Sequence, residues 1–280
     1  MTEFRDVMFH TRVGDGPIGC GALAIGHSHL TTVQHAYKQR IPAAEAGSAT
    51  KFLFLQLLNE EFRPPIIADD GGVRINKRLE AAILDGVYNL PQRKVIAMFL
   101  SGNEYQFIGM FNQPRRYDFL LPERPDLPPQ PGAEVIQTAL IEEKLGRNIR
   151  AATQLVPIIK ALVGSDIPIY AMQSPPPIPD NDYILKGNSA FARELETLGV
   201  APPSLRYKLW MLQSRLFRKY LTDAGVFYLP PPAAAVDEAG YMVPAGWHPD
   251  GVHGSLWFGD LLLQQIEGLF VVPAVSGDQS

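Results

Sequence analysis

A single cysteine, Cys20, stands in a chain of 280 residues, so no disulfide can form within it. That excludes the cross-linked framework of a small secreted scaffold. Cys20 comes directly before an apolar stretch and is expected to be a small buried residue rather than a nucleophile. Positive charge is also scarce: 25 Lys and Arg against 29 Asp and Glu leave a formal net charge of -4. No basic stripe could neutralise a run of phosphates, which argues against nucleic acid as a partner. Arg115-Arg116 and Arg215 to Lys219 read as solvated surface. No stretch reaches the roughly 18 consecutive apolar residues of a membrane span. Met1 to Val13 carries Glu3, Arg5, Asp6 and Arg12 and lacks the apolar core of a secretory signal. A cytoplasmic location is therefore expected. No repeat and no dividing linker is visible, so one domain over 1–280 is expected, with its core at about 20–270 and a loose tail at 273–280.

Apolar residues make up 46% of the chain and charged residues 19%, enough to build a core of ordinary size. Five short apolar runs read as strands, the first and third of them buried: Gly21 to Gly26, Lys51 to Leu58, Val95 to Leu100, Ile167 to Met172 and Gly225 to Leu229. Between them lie helical patterns at Thr31 to Arg40, Asn76 to Leu84 with Gly86 as terminator, Ala133 to Leu145, Ile149 to Val163, Phe191 to Leu198 and Ser204 to Ala224. A closing helix is expected over Gly254 to Gly268. The stretch from Pro64 to Gly72 reads as a loop, and Tyr117 to Leu121 as one short strand within a proline-rich connection. Strands alternating with helices from end to end imply an α/β fold with a parallel sheet covered on both faces.

In such a sheet, ligands bind outside the carboxyl ends of the strands. The polar groups of the chain gather there. Ser28 follows the first strand in Gly26-His27-Ser28-His29, Gly71 and Gly72 follow the second, and Asn103 follows the third in Ser101-Gly102-Asn103-Glu104. Pro175-Pro176-Pro177 follow the fourth, and Asp250 and His253 lie beyond the fifth in Trp247-His248-Pro249-Asp250-Gly251-Val252-His253. A serine hydroxyl needs a base to become a useful nucleophile, and the base needs a third group to fix its tautomer. His253 can be the base, and a tight loop can fold Asp250 back onto its imidazole. Donors for an oxyanion could come from the backbone N–H of Ser28 at a helix start, the backbone N–H of Gly72 and the side-chain amide of Asn103.

These blocks, in this order over about residues 20 to 268, resemble the SGNH (GDSL-like) hydrolase superfamily. The resemblance implies a three-layer α/β/α sandwich with a flavodoxin-like five-stranded parallel sheet. It implies an esterase, lipase or acyltransferase that works through a Ser-His-Asp triad, with no metal and no organic cofactor. Ser28 would be nucleophile and oxyanion donor, Gly72 and Asn103 the other donors, and Asp250 with His253 would complete the triad. Gly71 is a near-equal candidate for the second-loop position. One departure is clear: the residue before the serine is usually aspartate in that superfamily, and here it is His27.

Each residue also has a plainer reading. Ser28 could cap a helix, Pro-Asp-Gly at 249–251 could be only a turn, Asn103 could be loop chemistry, and Gly71 and Gly72 could merely supply positive φ. Trp247 and Trp257 flank the proposed triad loop and are expected to pack there. Two other functions compete with acyl transfer. His27 and His29, at i and i+2 on a strand end, could point the same way and hold a metal, as in Gly-His-x-His phosphoesterases. No Asp-x-His precedes them, and His10 and His35 lack carboxylate partners. A non-catalytic binding module on the same fold is the second competitor. Proline- and aromatic-rich loops favour a small or carbohydrate-linked ester as substrate over an extended lipid, while the oligomeric state is not encoded in any readable pattern.

Overall fold

In the computed structural model, which describes residues 19–44, 50–69, 72–100, 102 and 104–270, the five apolar runs form one sheet. Its strands are β1 (Cys20–Gly26), β2 (Thr50–Gln56), β3 (Arg93–Phe99), β4 (Ile169–Met172) and β5 (Phe227–Leu229). They lie in the order β2-β1-β3-β4-β5 and every neighbouring pair is parallel. The chain leaves β1 for β2 on one side and then crosses to β3 on the other. The strand order therefore reverses at β1, and a crevice opens between the exits of β1 and β3.

Side chains alternate across a strand, so each strand feeds two cores. Leu23, Ile25, Leu53, Leu55, Ile96 and Met98 enter one; Ala22, Ala24, Phe52, Phe54, Ala97 and Phe99 enter the other. The first is covered by α2 (Lys77–Tyr88), α3 (Thr138–Thr153), α4 (Leu155–Val163) and α5 (Pro203–Asp223), the second by α1 (Ser28–Ala44) and α6 (Leu256–Gly268). The result is a three-layer α/β/α sandwich with the flavodoxin-like strand order that the resemblance implied, its parallel sheet covered on both faces as the alternating pattern required. Three alanines, Ala22, Ala24 and Ala97, face the α1 and α6 side and leave room for these helices to sit close to the sheet.

The pairing of α1 with α6 joins residues more than two hundred positions apart. A Cβ on Gly259 of α6 would lie 2.7 Å from the Thr32 carbonyl oxygen, so glycine is what permits the contact. Thr32 Oγ1 donates to the Gly254 carbonyl at 3.1 Å. Further along, Arg40 pairs with Asp260 and reaches both Glu267 carboxylate oxygens at 3.0 and 3.1 Å.

Several boundaries differ from expectation for physical reasons. Gly86 lies buried inside α2 instead of ending it, and α3 runs past the expected end at Leu145, through a buried Gly146, to Thr153. Helix α2 stops at Asn89, whose Nδ2 donates to the Asp85 carbonyl at 2.8 Å. The division between α3 and α4 falls at Gln154. Ser255 caps α6, accepting from Phe258 N–H at 3.3 Å, so that helix begins at Leu256. The stretch expected as a loop holds an antiparallel hairpin, Ile66–Asp69 with Gly72–Ile75; its apolar flanks Ile66, Ile67, Val73 and Ile75 are strand residues. Only Tyr117–Asp118 of the expected short strand is extended in a ladder. Asp118 and Lys208 of α5, both fully buried, pair at 2.6 Å and tie that connection to the helix. Cys20 is half-buried as the first residue of β1, not enclosed. The tail from 273 lies outside the described residues. Among those described, no helix is long and apolar enough to cross a membrane.

Gly259→Ala should destabilise the protein by about 1–3 kcal/mol, the range for forcing a methyl into a packed contact, because the neighbour it meets is backbone and cannot swing aside. Urea unfolding of the two chains measures this, and equal midpoints would show that α1 and α6 do not depend on the close approach.

Candidate active site

The end of β1 is built for a tight crossing. A Cβ on Gly26 would sit 2.5 Å from Phe99 Cβ and 2.7 Å from the Phe99 carbonyl oxygen, so only glycine lets β1 and β3 lie this close at their exits. His27 N–H donates to that carbonyl at 3.3 Å, and α1 begins at the next residue, Ser28. Ser28 therefore stands at a helix N-terminus, where free N–H groups and the helix dipole favour negative charge. Counting from it at i+3, i+4 and i+7, Thr31, Thr32 and His35 share its face. These four residues form one wall of an open cleft of about 390 Å³, and His248, Asp250, His253 and Leu256 form the other.

The opposite wall is a short loop whose base is closed by the antiparallel bridge between Trp247 and Gly254. Ser255 N–H donates to the Gly246 carbonyl at 2.8 Å, just outside that bridge. Gly251 has φ +72, a left-handed conformation suited to glycine, and its N–H returns to the His248 carbonyl at 2.9 Å. Asp250 Oδ1 accepts from the N–H groups of Val252 and His253, both at 2.9 Å. Its Oδ2 lies 2.7 Å from His253 Nδ1. The Pro-Asp-Gly turn and the Asp-His pair are thus one object: the turn that plainer chemistry predicts is what sets the carboxylate against the imidazole. A second brace comes from outside the loop, where Asn188 N–H donates to the Pro249 carbonyl at 3.1 Å and Tyr183 packs on Trp247 at 5.0 Å between ring centres.

Burial works against the charge on Asp250, but the bond to His253 Nδ1, the two backbone N–H groups and the nearby imidazole outweigh it. The carboxyl is held well below the usual carboxylate range. An ionised Asp250 keeps the His253 proton on Nδ1 and leaves Nε2 as the basic atom, the tautomer a general base requires. Nε2 is buried and has no hydrogen-bond partner among the described residues. The His29 ring lies 4.9 Å from that of His253, tilted by 60°. On the outer side, His248 Nδ1 approaches Asp250 Oδ1 at 3.1 Å and Asp250 N–H at 3.4 Å. A protonated His248 can donate to the first, and a neutral one can accept from the second.

Ser28, Asp250 and His253 are brought together as cleft-lining residues. No hydrogen bond joins Ser28 to His253 Nε2. Gly72 lies in the hairpin, exposed and with φ +111, and is not among the residues lining the cleft. The residues at the carboxyl end of β2 are instead Gln56 to Asn59. Gly71 and Asn103 fall outside the described residues.

His27 is held below the ordinary imidazole value by burial and, after that, by the charge of Arg63, so it is neutral where the resembled superfamily carries an aspartate. Because α1 starts at Ser28, His27 and His29 do not sit on a common strand, and the shared direction that a metal pair needs is not met. Among the described residues no group of three or more His, Cys, Asp or Glu could hold a metal ion. Trp247 packs as expected, its Nε1 donating to the Met242 carbonyl at 2.7 Å, whereas Trp257 is partly exposed.

Sequence reasoning missed Thr31, Thr32, His35 and His248 as cleft walls, although the helical spacing from Ser28 was available to find the first three. It also missed Gln56. With its amide turned so that Nε2 donates to the His27 carbonyl at 3.1 Å, Oε1 accepts from Thr31 N–H at 3.1 Å and from Thr31 Oγ1 at 2.9 Å. Both faces of the amide are satisfied in that orientation, and it clamps the turn on either side of Ser28.

Since the folded-state pKa of Asp250 lies below the unfolded one, its ionised form stabilises the fold fully above about pH 4 and loses that contribution as the pH drops toward the depressed value. The thermal unfolding gap between the wild type and Asp250→Asn should therefore be widest near neutrality and narrow below about pH 4. A gap that stays constant between pH 7 and 3 would show that the carboxylate is not specifically stabilised.

No family model matches the chain, and no curated sequence is similar to it. Solved structures with a similar arrangement include the periplasmic domain of a lipopolysaccharide acetyltransferase from Salmonella ser. Paratyphi A, at 13% identity and TM-score 0.47, covering 93% of this chain and 86% of that one. A GDSL-like lipase from Bacteroides thetaiotaomicron aligns at 12% identity and TM-score 0.41, covering 89% and 88%. Est24, a carbohydrate acetylesterase from Sinorhizobium meliloti, aligns at 12% identity and TM-score 0.39, covering 89% of this chain and 99% of its own.

Proposed function

We propose that the protein is a serine esterase of the SGNH type, acting on an ester through an acyl-enzyme. The observation that carries this is the His253–Asp250 pair at 2.7 Å, facing the same cleft as Ser28 at the start of a helix. Ser28 Oγ attacks the ester carbonyl carbon while its proton passes to His253 Nε2. Asp250 stabilises the imidazolium so formed. The tetrahedral oxyanion is met by the Ser28 N–H and by the Asn103 amide; Gly72, the third donor of the sequence reading, would have to move from its hairpin to take part. The C–O bond to the leaving alcohol then breaks, and the alcohol takes the proton from Nε2. Water, activated by the same imidazole, releases the acid and restores Ser28.

Two threonines and two histidines line the cleft beside the catalytic groups, with Leu256 the one aliphatic residue among the described lining residues. Hydroxyl and imidazole groups suit a hydroxyl-rich alcohol, so an acetyl or short-acyl ester of a carbohydrate is the substrate class proposed. The same walls would admit a second hydroxyl in place of water, which makes acyl transfer the alternative outcome of the same acyl-enzyme. No metal, organic cofactor, nucleic acid or membrane enters this proposal. A cytoplasmic setting is part of it, on the single cysteine.

Labelling with a fluorophosphonate tests the nucleophile. The adduct should map to the peptide containing Ser28 and vanish in Ser28→Ala, together with hydrolysis of p-nitrophenyl acetate. Asn103→Ala should lower kcat by about 100-fold with little change in KM, the usual cost of losing one oxyanion donor. Folded protein that neither labels nor hydrolyses, yet binds a sugar ester equally well with and without Ser28, would mark a binding module. Activity restored by zinc or manganese would point to metal chemistry.

A further inference from the structure

Gln213 lies in the middle of α5 and is completely buried. A buried primary amide is costly unless its oxygen and nitrogen are both satisfied, and long-range partners for both are unusual for a residue on a helix. Here Oε1 accepts from Tyr105 N–H at 2.8 Å and Nε2 donates to the Gly102 carbonyl at 3.1 Å. The two partners lie on either side of Asn103 in the chain. One amide thus grips the backbone before and after that position, across separations of 111 and 108 residues.

The neighbouring residues of α5 do the same for the next strand. Ser214 Oγ accepts from Gln173 Nε2 at 2.7 Å, and Trp210 Nε1 donates to the Ser174 carbonyl at 3.2 Å, both just beyond β4. One turn earlier, Arg206 donates to the Ile178 carbonyl at 2.7 Å and to Asn181 Oδ1 at 2.8 Å, beyond the proline run. Helix α5 therefore holds the exits of β3 and β4 from beneath by a row of buried polar side chains. The β3 exit is the more dependent of the two. It turns at once into a single helical turn, Gln106–Gly109, and its side chain Glu104 is buried enough that the carboxyl is raised above the ordinary glutamate value.

We propose that Gln213 is a positioning residue for the loop that would carry the oxyanion donor: it fixes the backbone of Gly102 and of Tyr105, on either side of position 103. The proposal rests on the esterase reading above. Preorganised donors cost no rearrangement at the moment of reaction, and displacing a catalytic group by about 1 Å can cost on the order of 100-fold in rate.

A double-mutant cycle on the full chain tests it, with p-nitrophenyl acetate hydrolysis as the readout. Gln213→Met keeps the volume and removes both hydrogen bonds. It should lower kcat at least about tenfold, leave KM within about twofold, and cost less than about twofold when added to Asn103→Ala, because a loop without its amide has nothing left to position. Equal losses in the two backgrounds would overturn the proposal and assign Gln213 to general stability. An unchanged kcat in Gln213→Met, or an Asn103→Ala chain as active as the wild type, would overturn it as well. If the Met variant fails to unfold cooperatively, the cycle is run with Gln213→Glu, which retains the acceptor for Tyr105 N–H, and is judged by the same criteria. Activity that survives Ser28→Ala would instead bring down the esterase reading, whereas Ser28-dependent activity with an additive cycle removes only the role of Gln213.

Discussion

Everything at the proposed site depends on one helix lying directly on another. α6 can approach α1 because Gly259 presents no side chain to the Thr32 carbonyl, and the contact is then locked by Thr32 Oγ1 on Gly254 and by Arg40 between Asp260 and Glu267. Gly254 is the residue next to His253. The same hydrogen bond that joins the helices therefore sets the distance between the loop that carries the imidazole and the helix that carries Ser28. Without this contact, the Asp250 turn would still form from its own local bonds, but it would face nothing.

The electrostatics follow from where each group sits in that arrangement. Asp250 stays ionised despite burial because a turn of its own backbone supplies two N–H donors and His253 supplies a third. His27 is driven the other way: burial and Arg63 keep it uncharged. A neutral residue before the serine leaves the α1 N-terminus without a competing carboxylate. The field there is then set by the helix start itself, which favours an anion that forms on substrate.

Much of this was legible in the residues. Short apolar runs bounded by turn residues mark strands, so β1 to β5 could be read directly; Ser28 fell at the end of the first, and Asp250 and His253 between the fifth and the last helix. Gly72 was harder. An Asp-Gly pair reads equally as loop or hairpin, and only the pairing of Ile66–Asp69 with Gly72–Ile75 shows that the segment folds on itself away from the cleft walls. Gly86 misled for a related reason: glycine ends a helix in isolation, but a buried one is tolerated within it. Gln56 and Gln213 carried no signal at all. A glutamine at a strand end or on a helix looks like a solvated residue until the tertiary structure brings a carbonyl and an N–H to its two faces.

The bond from Thr32 to Gly254 spans 222 residues, nearly the whole length between the first strand and the last helix. Ser28 is among the first residues of the fold to leave the ribosome, and His253 among the last. A chain being synthesised from its N-terminus can complete all five strands before the proposed base, His253, has been added. If the proposed esterase reading holds, competence to react is deferred to the docking of the final helix, and a partly made or C-terminally clipped chain carries Ser28 without its base.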